Sequence, residues 1–147
     1  MAGSDYMAAV ALVISFLSFG VSFYFGFRDQ VHLRATSKLY NGGEDFGPPY
    51  IMVRVVNHGR RVAILTMFGG ELDNGAWIGT CMGKDGRGIR LAEHEYHVEK
   101  VSLEDLQEFA VPDEKTHEYT ELWFEDSLGK RHPVRHSRRN IQKLKKG

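Results

Sequence analysis

From Tyr6 to Phe27 the chain runs YMAAVALVISFLSFGVSFYFGF, with no charged residue and no proline. A helix of that length rises about 33 Å at 1.5 Å per residue, against about 30 Å for the hydrocarbon core of a bilayer. Each unpaired backbone group in lipid costs several kcal/mol, so an isolated apolar segment of this length crosses as a helix. The pattern predicts a transmembrane helix over 6–27 behind a short tail, residues 1–5.

After Arg28-Asp29 the period changes from helical to two. Val31, Leu33, Ala35, Ser37 and Leu39 alternate with His32, Arg34, Thr36, Lys38 and Tyr40, which reads as a strand. The run Asn41 to Pro49 holds the residues that break regular structure and is a loop. Tyr50–Val56 and Val62–Phe68 read as a hairpin around Asn57–Arg60, expected at the centre of the fold. Gly69-Gly70 is expected to end that pattern, with two short strands following around Asp73-Asn74-Gly75. Gly83–Gly88 is an exposed loop, and Ile89–Val98 one further strand. Ser102–Phe109 is helical, with Ser102 as its cap and Leu103, Leu106 and Phe109 on one face. Glu118–Glu125 and His132–Arg135 form a last hairpin around Asp126–Lys130. About seven short strands with one brief helix predict a mainly β body over 28–136, a small antiparallel immunoglobulin-like sandwich.

Charge sharpens this division. The whole chain balances at 19 basic and 19 acidic residues. From Lys130 onward, however, there are eight basic residues and no acidic one, whereas Arg28–Gly129 carries 18 acidic against 11 basic. The basic tail, 137–147, has helical spacing, with Ser137 as the expected cap and Ile141 and Leu144 on one face. Behind a membrane anchor such a tail fits anionic lipid or an acidic partner surface, through Arg138, Arg139, Lys143, Lys145 and Lys146. Nucleic acid is not the expected partner, because no stacking aromatics interleave these residues.

The flanks of the apolar run set its expected orientation. No Lys or Arg precedes it, while Arg28, Arg34 and Lys38 follow, which predicts an N-terminus outside and a body in the cytoplasm, at the cell's inner membrane. A cleaved leader would carry a basic start and a small-residue cleavage pattern, and neither is present. One stripe of the helix is small: Ala11, Ser15, Ser18, Ser22 and Gly26 recur at spacings of three and four. Such stripes let helix backbones approach closely, so association with a second copy or a partner membrane protein is expected.

Candidate chemistry is sparse. His94 and His97 lie three apart on an expected strand and would face opposite ways, so no metal site is expected. Cys81 is the only cysteine; it excludes an intrachain disulfide and has no base beside it. Gly83–Gly88 and Gly129-Lys130 lack the spacing of a phosphate loop. Trp123 is expected in the core and Trp77 partly exposed. No catalytic set converges and no cofactor is implied.

Val55-Val-Asn-His-Gly-Arg-Arg-Val-Ala-Ile64, the later Leu-Glu-Asp-Leu helix and the closing Asp126-Ser-Leu-Gly-Lys turn resemble a group of uncharacterised bacterial and phage-borne proteins. Those place a small immunoglobulin-like domain behind one transmembrane helix, with proline where this chain has Val62. The resemblance implies a fold and no activity. The expected function is a non-enzymatic, membrane-anchored interaction subunit. The alternative is a membrane-tethered sensor or effector of phage or defence origin that binds a ligand through Gly42–Pro49 and Gly83–Gly88.

Overall fold

The computed structural model describes residues 2–28, 30–43, 47–107 and 117–146. Helix α1, Ala2–Arg28, contains the apolar run. Among the described residues eight strands follow: β1 (Leu33–Tyr40), β2 (Tyr50–Asn57), β3 (Ala63–Leu72), β4 (Trp77–Cys81), β5 (Ile89–Leu91), β6 (Tyr96–Ser102), β7 (Tyr119–Asp126) and β8 (Arg131–Pro133). Among the same residues two short α-helices, α2 (Leu103–Gln107) after β6 and α3 (Ser137–Leu144) near the C-terminus, and one 3-10 turn at Lys84–Gly86 complete the body.

The strands make two antiparallel sheets. One has the order β1-β2-β6; the other has the order β4-β3-β7-β8, with β5 also on β3. Period-two alternation turns Ile51, Val53, Val55 and Val101 of the first sheet inward, to meet Leu65, Leu122 and Phe124 of the second in one core. Ile51, Val53, Val55, Leu65 and Phe124 have no exposed surface. Burying a side chain of this size contributes roughly 1.5–3 kcal/mol, so these residues dominate the stability of the body.

Three pairings differ from the sequence reading. Strands β2 and β3 do not form a hairpin but lie in different sheets. The chain between them is an arch held by the fully buried Asn57. Its Nδ2 donates to the carbonyls of Arg61 (2.7 Å) and Leu91 (3.0 Å), and its Oδ1 accepts from Gly59 N–H (2.9 Å). A Cβ on Gly59 would run into the backbone of Gln30 and His32, so the arch needs glycine where the incoming chain passes. Ile89–Val98 is likewise two strands on two sheets. His94 (φ +63°) and the Glu95 carboxylate, which accepts from Ala92 N–H at 2.7 Å, turn the chain between them.

The third difference is Gly69-Gly70, which continues β3 instead of ending it. Gly69 pairs with Gly79 of β4 on one side and Trp123 of β7 on the other. A Cβ on Gly79 would lie 2.6 Å from Met67 Sδ and 3.2 Å from the Trp123 ring. These glycines form a flat floor under an indole.

Other turns follow the residues that specify them. Gly75 (φ +81°) closes the β3–β4 turn, where Ala76 N–H bonds Asn74 Oδ1 at 2.9 Å. Ser102 and Asp105 cap α2 reciprocally: the Asp105 carboxylate accepts from Ser102 N–H and Oγ (2.7 and 2.8 Å), and Asp105 N–H donates to Ser102 Oγ (3.1 Å). The expected helical contact of Phe109 lies outside the described residues.

Candidate functional site

The first candidate surface is α1. From Asp5 to Gly26 it is long and apolar enough to span a membrane, and every residue of that stretch is exposed. Phe16, Phe19 and Phe23 keep between 66% and 69% of their surface, so the body does not cover this helix. The small stripe is exposed with the rest. Ala11, Ser18 and Ser22 lie open, the Ser15 hydroxyl donates back to the Ala11 carbonyl at 2.8 Å, and a Cβ on Gly26 would meet nothing within 4 Å. Back-bonding of this kind satisfies a hydroxyl within its own helix in an apolar medium.

The second candidate surface is the basic tail, which is built into the body as α3. Ile141 and Leu144 are 1% and 3% exposed and belong to the core. Ser137 does not cap the helix. The cap position is His136 in the left-handed conformation (φ +66°), and the buried Ser137 hydroxyl instead accepts from Leu122 N–H of β7 at 3.2 Å. Asn140 Nδ2 donates to Ser37 Oγ at 2.9 Å, which ties the helix to β1. Among the five candidate cations, Lys145 pairs with Glu118 (2.9 Å) and Arg138 lies 3.7 Å from Glu121. Arg139, Lys143 and Lys146 point to solvent.

Trp123 is buried, but not in the shared core. It lies on the outer face of the second sheet, over Gly69 and Gly79, with Trp77 against its edge at 5.8 Å. The Arg131 guanidinium sits 4.5 Å from the Trp77 ring and 4.3 Å from the Trp123 ring, and its Nε reaches Glu125 at 3.3 Å. Trp123 Nε1 is a buried polar atom with no partner among the described residues. Sequence reasoning assigned this indole to the core because its strand is apolar on both sides. The glycines opposite were the available sign that a ring lies outside.

Two polar pairs organise turns. His132 Nε2 and Asp126 Oδ2 are 2.7 Å apart and nearly buried, while Asp126 Oδ1 accepts from Leu128 and Lys130 N–H. Burial acts to raise the Asp126 carboxyl, but the His132 contact and the two backbone donors together outweigh it and hold its pKa below the ordinary value. The His117 hydrogen bond holds exposed Asp73 low in the same way. His97 pairs with Glu99 at 2.7 Å on the inner side of β6. His94 sits in the turn before β6 with 72% of its side chain exposed. Among the described residues no three His, Cys, Asp or Glu side chains are grouped to hold a metal.

A groove of about 370 Å³ opens between β4 and α2, lined by Ile78, Cys81, Glu99, Asp105 and Tyr119. Gly83–Gly88 beside it is a turn closed by Gly88 N–H to the Met82 carbonyl at 3.0 Å, with three glycines at positive φ. Of the other candidate loop, Gly43 and Gly47 exchange backbone hydrogen bonds at 3.1 Å.

No family model matches the chain, and no curated protein or solved structure matches it either.

Proposed function

We propose that the chain is a single-pass membrane protein whose helix α1 stays in the bilayer and holds the β body at the cytoplasmic surface as a non-enzymatic interaction subunit. The observation that carries this reading is the bare helix: 22 residues of high mean hydropathy that no described part of the molecule buries. Exposed apolar surface of that extent needs a covering medium, and lipid of matching thickness is the simplest one. Arg28, Arg34 and Lys38 on the C-terminal side, with no Lys or Arg in residues 1–27, support a cytoplasmic body. The small stripe supports association of α1 with a second copy or with a partner membrane protein.

The strand order supports the finer reading of the body as an immunoglobulin-like sandwich. Three strands, β1-β2-β6, face a second sheet, β4-β3-β7-β8, and the chain crosses between sheets after β2.

The test is a pair of fusions in living cells. A reporter active only in the cytoplasm should function after Gly147 and fail before Met1. The reverse pattern would overturn the orientation. Crosslinking in native membranes should capture α1 through the stripe. Leucine at Ser18, Ser22 and Gly26 should abolish that capture, and unchanged capture would move the contact to the body.

A further inference from the structure

The outer face of the β1-β2-β6 sheet presents only one sign of charge. The register places Arg34, Lys38, Arg54 and Lys100 on that side, because the alternating positions Ala35, Ile51, Val53, Val55 and Val101 are buried inward. Tyr40, Tyr50 and Tyr96 stand between the cations, with Met52, Val56 and Val98 as the apolar remainder. Among the described residues no strand position on this face is a carboxylate, and none of the four cations forms an ion pair.

The cations and rings are arranged as a ladder. Lys100 Nζ lies 4.2 Å from the Tyr50 ring centre, Arg54 Cζ 4.2 Å from Tyr96, and Lys38 Nζ 5.0 Å from Tyr40. Tyr40 and Tyr50 stack at 5.2 Å, 9° from parallel. Such contacts hold long cationic side chains against the sheet while leaving N–H groups free to meet oxyanions.

The outer face of the second sheet carries both signs of charge. Glu71, Glu121 and Glu125 flank the indole pair, and Arg131 and, opposite Ile64 on β5, Arg90 lie on the same side. The two outer faces therefore differ: the first is basic, and the second mixes both signs and pairs them, as in Arg131 with Glu125.

We propose that the β1-β2-β6 face is a docking surface for the anionic headgroups of the membrane in which α1 is anchored. This rests on the reading of α1 as an anchor, since the tether gives the face its target. Helix α1 ends at Arg28 and β1 starts at Leu33, a gap that spans at most about 18 Å when extended. The body is thus held at high effective concentration over the lipid surface. Tyrosine with lysine and arginine is the mixture that settles at headgroup level, where rings sit among acyl ends and cations meet phosphate. Single-stranded nucleic acid is the rival anion. It binds by stacking bases on open ring faces, and each of these three rings already carries a cation or another ring.

The test uses the full chain in lipid nanodiscs of neutral phosphatidylcholine, or of the same lipid with phosphatidylglycerol added. The readout is acylation of lysines by a water-soluble amine reagent, followed by mass spectrometry. Lys84 and Lys130, on turns outside this face, serve as internal controls. Lys38 and Lys100 should react about tenfold more slowly in the anionic discs, and high salt should reverse the protection. Arg34→Glu with Arg54→Glu should remove it and leave Lys84 and Lys130 unchanged. Equal labelling of Lys38 and Lys100 in both discs overturns the proposal, as does protection by an oligonucleotide in neutral discs that exceeds protection by lipid. Release of the chain from neutral discs is a separate outcome and overturns the anchor. The face is then decided by repeating the comparison on released chain with phosphatidylglycerol vesicles: protection sustains it, and equal labelling overturns it.

Discussion

The two outer faces of the β body use the same residue types to opposite ends. On the second sheet an arginine lies across two indoles, and one of those indoles, Trp123, is only 4% exposed over a glycine floor. On the first sheet the cations lie over tyrosines that keep part of their surface in solvent, Tyr40 and Tyr50 half-buried and Tyr96 58% exposed. Burial decides the role. A covered ring contributes to folding, whereas a partly exposed ring with an unpaired cation over it leaves contact surface for something outside the chain.

The largest effect that would break this comparison is at Trp123. Trp123→Ala should destabilise the body by about 3–5 kcal/mol, read by thermal or denaturant unfolding of the detergent-solubilised chain. A change below about 1 kcal/mol would mean the ring is not structural. Trp123→Phe keeps most of the area, removes the unpartnered Nε1, and should cost far less.

Next comes Asp126, which anchors the β7–β8 turn beneath that face. Asp126→Ala should cost about 2–3 kcal/mol, since it strips His132 and two backbone donors of a charged acceptor. The folded carboxyl titrates below its ordinary value of about 3.9. Its contribution is therefore complete above that pH and is lost as pH falls through the lower folded value. Acid unfolding of the variant should be correspondingly less steep below about pH 4. A wild-type slope in the variant would remove Asp126 from the acid response.

Gly79→Val should cost about 1–3 kcal/mol, because the new side chain meets Met67 and the Trp123 ring from below. The smallest expected change is on the other face. Arg54→Glu or Lys100→Glu should alter unfolding by no more than about 0.5 kcal/mol, as exposed substitutions do. A large loss there would show that the basic ladder is structural too, and the contrast between the faces would disappear.

How much of this was readable in the chain depends on the range of the force involved. Alternation in Tyr50–Val56 and the apolar, aromatic run within Glu118–Glu125 marked β2 and β7, and Asn74-Gly75 marked a tight turn, because local sterics decide both. Partner choice is not local. The β2–β3 connection has turn residues suited to a hairpin, yet Asn57 bonds Leu91, 34 residues away, and sends the chain across to the other sheet. Gly69-Gly70 reads as a break until Trp123 is placed over it. Ile141 and Leu144 gave the inward side of α3 correctly, while Ser137 was read as a cap because its hydroxyl's partner, Leu122, is distant in sequence. The cationic face was invisible for the same reason: Arg34, Lys38, Arg54 and Lys100 become one surface only through the register of three strands.

The proposed function depends on α1 remaining in lipid, and alkaline carbonate extraction of native membranes, with the intact mass of the recovered chain, tests that most directly. The account predicts a chain that stays with the membrane pellet and retains residues 6–27 in its mass. A chain released to the supernatant, or one shortened by removal of α1, would contradict it.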